Sequence, residues 1–275
     1  MANAAAFFDL DRTLISGASA FPFGVEAWRQ GLATTNDIAK WSIAALSFLI
    51  GGDKGGDSSA LLRGEFLTRI EGAFVGDLDL VGQAVLPRLV TRVRPESRKL
   101  VAMHHQAGRE TWIVSASPQR LVEPLAASLG MTGAIGTEGE VVDGRFTGKL
   151  EGPFIYGAGK ASAIEKLASD RGYELALSYA YSDSVSDLPM MELVGHPVAV
   201  NPDSELDRIA HERGWPIVIF ARKTKRAFAL SGVAAVSAAA AGIAYVLGRR
   251  HGRTAAMAQT VAKSSRGSLW GPTAP

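Results

Sequence analysis

Short apolar runs punctuate the chain, each five or six residues long and closed by a turn residue or by the start of a helical period. They fall at Ala4–Phe8, Thr111–Ser115, Leu177–Ser182, His196–Val200 and Pro216–Phe220. Runs this short, with no polar residue at alternate positions, fit strands buried on both faces of a sheet. Between them, Arg120–Leu129 and Lys160–Arg171 carry apolar residues at helical spacing. Strand alternating with helix predicts parallel strands joined by crossover helices, an α/β fold with a doubly wound sheet. Ligands of such sheets collect at the carboxyl ends of the strands. Three of the runs deliver Asp9, Ser115 and Asp183 to that edge.

Three stretches depart from the alternation. From Ser16 to Pro87 the pattern is helical without a convincing strand, which predicts a helical cap inserted over the site and a core made of 1–15 and 88–222. The run Val141-Val142-Asp143-Gly144-Arg145-Phe146 places an Asp-Gly turn between apolar residues and predicts a β-hairpin. Ala227–Leu247 holds 21 residues without a charge, enough to cross a bilayer at about 1.5 Å per residue. Arg222, Lys223, Lys225 and Arg226 precede it, and Arg249, Arg250 and Arg253 follow. A single-pass transmembrane helix is expected there, the alternative being an Ala-rich helix packed on the protein. The small and polar residues of 251–275 predict a disordered tail. The first residues lack the basic start and long apolar core of a signal peptide, which places the catalytic part at the cytoplasmic face of the membrane.

Composition narrows the chemistry. Lys and Arg number 29 against 27 Asp and Glu, a net charge of +2, so the basic face that nucleic-acid binding needs is not expected. The chain has no cysteine, which excludes disulfides, thiolate metal sites and cysteine nucleophiles. A metal would rest on oxygen or imidazole, and carboxylates favour magnesium, calcium or manganese.

Four segments carry candidate chemistry. In Asp9-Leu10-Asp11-Arg12-Thr13 two carboxylates leave a strand together. One can attack phosphorus and form an aspartyl phosphate; the other can serve as general acid for the leaving alcohol and general base for water. Their repulsion calls for a cation, and magnesium also polarises a phosphate. A polar strand exit is the plainer account of the same residues. Ser115, with the backbone N–H groups of Ala116 and its neighbours, offers a cradle for an anion, or else a simple helix cap. Lys160 follows Gly157-Ala158-Gly159 at the start of a helix, where its charge opposes the helix dipole. From there it can bridge Asp9 and a phosphate, although surface lysines are common. Asp183 and Asp187 leave another apolar strand. Asp183 would complete a magnesium site with Asp9 and the backbone carbonyl of Asp11, while Asp187 would orient a bound water or Lys160, or cap the helix at Leu188.

Together these segments resemble the haloacid dehalogenase superfamily, in particular its phosphoserine-phosphatase-like branch, subfamily IB. The resemblance runs from Phe7 to Asp203 and takes in the helical insertion, the hairpin Gly139–Gly148 and Asn201-Pro202-Asp203. It implies Asp9 as nucleophile, Asp11 as general acid/base, Ser115 and Lys160 as phosphate ligands, and Asp183 and Asp187 at the magnesium site. Some features depart from the branch. No acid follows the first motif until Glu26, the second motif reads Ser115-Ala116-Ser117, and Ser186 stands where asparagine is usual. A magnesium-dependent phosphomonoester hydrolase is therefore expected, without the residues that the branch uses to select phosphoserine. The apolar C-terminal helix and the cap stretch Trp41–Ile50 suggest a lipid phosphate or lysophospholipid, although the more ordinary role of that stretch is the cap's own core. Arg63 and Arg69 in the cap are able to meet an anionic substrate group, although solvated helix arginines are the plainer account of them. The alternatives are a membrane-tethered phosphoserine-phosphatase-like enzyme, a phosphotransferase, or an inactive binding protein of the same fold.

Overall fold

The protein is described by a computed structural model covering residues 3–31, Leu67 and 71–220. The five predicted strands and one further strand form one parallel sheet. Its members are β1 (Ala5–Asp9), β2 (Glu110–Pro118), β3 (Gly133–Thr137), β6 (Tyr179–Ser182), β7 (His196–Val200) and β8 (Ile217–Val218), in the order β3-β2-β1-β6-β7-β8. The hairpin is β4 (Gly139–Val142) and β5 (Arg145–Leu150), closed by Asp143 and Gly144, both at positive φ as a two-residue type I′ turn requires.

Strand β1 shows why the sheet is covered on both sides. Ala6 and Phe8 enter one core with Val81, Val85, Val101, Leu121 and Tyr181. Ala5 and Phe7 enter the other with Ile164, Met190, Met191 and Leu206. This two-residue alternation is the pleat of a strand with helices on each face. The first layer contains α2 (Val75–Arg92), α3 (Pro95–Gln106) and α4 (Gln119–Ser128). The second contains α5 (Ala158–Arg171), α6 (Leu188–Glu192) and α7 (Ser204–Arg213). A further helix, α1 (Ala20–Arg29), precedes them in the chain.

Strand β3 is absent from the apolar runs because its sequence, Gly133-Ala134-Ile135-Gly136-Thr137, is short and glycine-rich. Its glycines answer to packing. A Cβ on Gly136 would lie 2.7 Å from the Gln119 Cα, and one on Gly133 would lie 2.6 Å from the Trp112 ring. The strand accepts glycine so that α4 and β2 can close against it. Two other boundaries move. Leu175–Leu177 forms a 3₁₀ turn ahead of β6, and β2 runs on to Pro118.

The segment beyond β1 leaves and re-enters the core at adjoining points. Ile15 bridges Val93, with Ser16 N–H donating to the Arg92 carbonyl and Arg94 N–H to that of Leu14. Helix α2 runs unbroken through Pro87, the residue at which the sequence pattern ends the cap. Buried Val81, Val85 and Leu89 hold it together where the proline removes a helix hydrogen bond. The stretch 41–50, Arg63, Arg69, the helix expected at 227–247 and the tail expected at 251–275 lie outside the described residues. Among the described residues no helix is long and apolar enough to cross a membrane.

Candidate active site

Strand order reverses at β1, which continues to β2 on one side and pairs with β6 on the other. A crevice opens at the carboxyl edge of such a switch point. The register sets what fills it. Asp9 ends β1 opposite Val114, so Ser115 lies one residue beyond, and Phe8 pairs with Tyr181, next to Ser182 and Asp183. Immediately after β1 the chain makes one wide turn, with the Ile15 N–H bonded to the Leu10 carbonyl and Arg12 at φ 62°. That turn brings Asp11, Arg12 and Thr13 back beside the strand end.

Lys160 is the centre of the deepest cluster. Its Nζ donates to Asp9 Oδ1 at 2.6 Å and to Asp187 Oδ2 at 2.7 Å, and all three residues are buried. Ser182 Oγ donates to the same Asp187 oxygen at 2.7 Å. Two glycines let α5 bring the lysine so close. Gly157 holds φ 54° at the N-cap, and a Cβ on Gly159 would stand 1.9 Å from the Phe154 carbonyl oxygen. Asp187 does sit at the N-cap position of α6, but its side chain makes no cap bond. Its carboxylate is committed to Lys160 and Ser182.

The second cluster surrounds Asp183. Arg12 Nε lies 2.7 Å from Asp183 Oδ2, and Thr13 Oγ1 is 3.4 Å from Oδ1. Asp203 braces the same loop from behind. Its N–H donates to the Asp183 carbonyl, and its carboxylate accepts from the Val185 and Leu206 N–H groups. Asp11 faces a third direction, toward Ser19, which donates its N–H to Oδ1 at 2.7 Å and its hydroxyl to Oδ2 at 3.1 Å.

Ser115 is buried at a break in the sheet. Val114 pairs with Ile135 but Pro118 with Thr137, so β2 spends four steps where β3 spends two. Residues 115–117, Ala116 among them, bulge out of the ladder, as strands near sites often do. The N-cap of α4 is Pro118, so Ser115 is not its cap. Ser115 Oγ instead accepts from the Ser117 N–H at 3.2 Å, which leaves the hydroxyl proton available to an anion.

The electrostatics follow from crowding four carboxylates into a buried crevice. Burial pushes the Asp9 carboxyl up to about 7, with Lys160 opposing the rise and Asp187 and Asp11 adding to it. Asp11 is raised by burial against the Ser19 hydrogen bonds, and Asp183 by burial against Arg12. Burial alone would lower Lys160, but Asp187 and Asp9 overcome it and hold the ammonium well above its ordinary value. When ionised, the four carboxylates carry more negative charge than Lys160 and Arg12 offset.

That excess, carried on hard oxygen donors, fits a divalent cation such as magnesium. Asp9 and Asp183, with the Asp11 main-chain carbonyl, could hold it. Asp187 is held by Lys160 and Ser182 and the Asp11 side chain by Ser19, while Asp9 and Asp183 are paired with Lys160 and Arg12. Among the described residues no three carboxylate or imidazole groups enclose an ion by side chains alone, and magnesium commonly keeps several waters.

Arg12, Ser19, Ser117 and Ser182 join the site without having been singled out by the sequence pattern. Arg12 carried one visible signal, a cation inside a run of carboxylates. The serines carried none, since their roles arise only when the turn after β1 and the bulge in β2 converge.

A family model for haloacid dehalogenase-like hydrolases matches residues 6–192. A phosphoserine phosphatase of Mycobacterium tuberculosis is 39% identical over 254 residues, covering 91% of this chain and 82% of its own. A Bordetella pertussis Tohama I protein of unknown function superposes with a TM-score of 0.69 at 26% identity, over 79% of this chain and 99% of the other. A phospho-aspartyl intermediate analogue of phosphoserine phosphatase gives 0.57 at 19% identity, over 82% and 97% of the two chains, a likeness of fold. Matched by the family model through all four segments of the crevice, and by a close relative along nearly its whole length, the chain belongs to the haloacid dehalogenase-like hydrolases.

Proposed function

We propose that the protein is a magnesium-dependent phosphomonoester hydrolase that works through a phosphorylated Asp9. The observation that carries this reading is the buried lysine bridge. Lys160 binds Asp9 through Oδ1 alone, which fixes the carboxylate in one orientation and leaves Oδ2 to attack phosphorus.

The residues divide the work. The Asp9 Oδ2–phosphorus bond forms as the ester P–O bond breaks, and the leaving oxygen takes a proton from Asp11. Asp11, raised by burial, holds a proton more readily than an ordinary aspartate and so suits this acid role. In the second half Asp11 takes a proton from the attacking water, the new P–O bond forms, and the Asp9–phosphorus bond breaks to release phosphate. Ser115 and the N–H groups of the bulge beside Ala116 hold the phosphoryl oxygens, and Lys160 offsets the charge that builds on them. A bound magnesium ion supplies charge neutralisation and polarises the phosphoryl group.

The substrate class that best fits is a small phosphate ester, since the relative quoted above is named a phosphoserine phosphatase. A lipid phosphate handled at the cytoplasmic face of the membrane rests on 41–50 and 227–247, outside the described residues. Release of inorganic phosphate from phosphoserine, a lysophospholipid, phosphatidate and sugar phosphates separates these readings, and transfer of phosphate to an added alcohol tests for a phosphotransferase. Magnesium-dependent release from an aryl phosphate, abolished by Asp9→Asn in a folded variant, is the expected result. Full activity of Asp9→Asn would overturn the mechanism.

A further inference from the structure

Ser19 stands at the N-cap position of α1, where a serine hydroxyl ordinarily accepts from the helix's own second or third N–H. Here it makes no such bond. Ser19 is 1% exposed, and its hydroxyl is turned away from its helix to donate to Asp11 Oδ2, while its N–H donates to Oδ1. Both oxygens of the carboxyl group are therefore held by one residue, which fixes the plane as well as the position of the group. The same hydroxyl lies 2.9 Å from Ser117 Oγ. Because the Ser19 proton is given to Asp11, the proton between the two serines comes from Ser117. Ser117 in turn donates its N–H to Ser115 Oγ. A continuous chain, Asp11–Ser19–Ser117–Ser115, thus joins the carboxyl group beyond β1 to the bulge of β2.

We propose that Ser19 is a positioning residue for proton transfer by Asp11, and that through Ser117 it keeps Asp11 in register with the turn that receives the phosphoryl group. The inference rests on the hydrolytic reading above. Asp11 delivers its proton only if its carboxyl group faces the leaving oxygen, and a small misplacement of such a group is costly in rate. Two donors on one carboxyl group are the means of fixing it. The segment carrying Ser19 is itself tied down, with Gly17 accepting from the Arg12 N–H and Ala18 from Arg92.

The experiment exploits the leaving group. An acidic phenol departs with little help, whereas an alkyl alcohol needs the proton from Asp11. The ratio of kcat/KM for an aryl phosphate to that for an alkyl phosphate therefore reads proton transfer in the first step. Ser19→Ala is expected to widen this ratio by about tenfold, a fraction of what a general acid contributes. Ser19→Thr, which keeps the hydroxyl, is expected to restore it, and Ser117→Ala to widen it less. Combining Ser19→Ala with Asp11→Asn should add nothing to the ratio of Asp11→Asn alone. Equal losses on both esters in folded Ser19→Ala, or a ratio that Ser19→Thr fails to restore, would overturn the proposal. The outcome is separable from the broader reading, because Asp9→Asn must be inactive on both esters whether or not Ser19 acts as described.

Discussion

Two buried polar clusters flank the strand pair β1 and β6, and they differ in whether their charge is balanced. Behind the sheet, His104 takes a hydrogen bond on Nδ1 from Arg109 Nε at 2.8 Å, which leaves Nε2 to donate to the Tyr181 hydroxyl at 2.8 Å. Phe8 stacks on Tyr181 at 4.5 Å, and Arg109 lies over the Tyr179 ring. Burial, with Arg109 and His105, pushes His104 down to about 4, so the ring is neutral and its donors and acceptors are matched. At the carboxyl edge, four carboxylates meet two cations, and burial pushes Asp9 the other way. A charge-balanced buried network stabilises a fold, whereas one with excess charge at a crevice is poised to take up an ion or a reactant. The two clusters meet at neighbouring residues of β1, Phe8 packing in the first and Asp9 belonging to the second.

Substitutions in the two clusters should therefore have opposite signatures. The largest effect is expected at Lys160. Lys160→Ala removes the counterion of two buried carboxylates, and should lower turnover by about 10²–10³ while costing about 3–5 kcal/mol of stability in the metal-free protein. Saturating magnesium should recover part of that stability, which a thermal melt with and without the ion would show. Comparable turnover in wild type and variant would remove the lysine from the mechanism. At His104 the balance reverses. His104→Phe leaves the Tyr181 hydroxyl and Arg109 without their partner and should cost about 1–3 kcal/mol, with kcat/KM unchanged. A large loss of activity in a folded variant would mean that the rear cluster is coupled to the site.

The smallest effect is a change in the slope of stability with pH. Asp9 is raised, so its contribution is fully present below its ordinary 3.8 and is lost as pH rises through about 7. His104 is depressed, so its contribution is present above its ordinary 6.5 and is lost as pH falls toward about 4. The two slopes oppose one another in the window they share. With magnesium chelated, melting temperature should change little between pH 6.5 and 4.5, or rise toward acid as Asp11 and Asp183 add to Asp9. With magnesium bound the carboxylates have their counterion, and stability should fall toward acid. Identical slopes in the two conditions would mean that the ion does not bind among these carboxylates.

The contrast also explains what could be read from the sequence. Asp9, Ser115 and Asp183 each close or follow an apolar run and Lys160 opens a helix, so periodicity alone sends them to one edge. The hairpin was legible because Asp143-Gly144 has few other uses between apolar residues. Strand β3 was not, since Gly133 and Gly136 are there for the closeness of Trp112 and Gln119, a demand of packing that periodicity does not encode. Ser19 and Arg12 were hidden for another reason. Their partners, Asp11 and Asp183, reach them only through a turn with a non-glycine residue at positive φ, a conformation with no sequence signature at Arg12. The rear cluster shows the converse limit, since nothing local to His104 reveals that Tyr181 and Arg109 will satisfy it.

The central claim is a covalent bond between Asp9 and phosphorus, and it can be observed directly. Acid quenching during turnover of a labelled phosphate ester, followed by peptide mapping, should find the phosphoryl group on the peptide containing Asp9. The label should be missing from Asp9→Asn, and its amount in Ser19→Ala should follow the slower of the two proton transfers. Label on a different residue, or turnover by Asp9→Asn at the wild-type rate, would contradict the account.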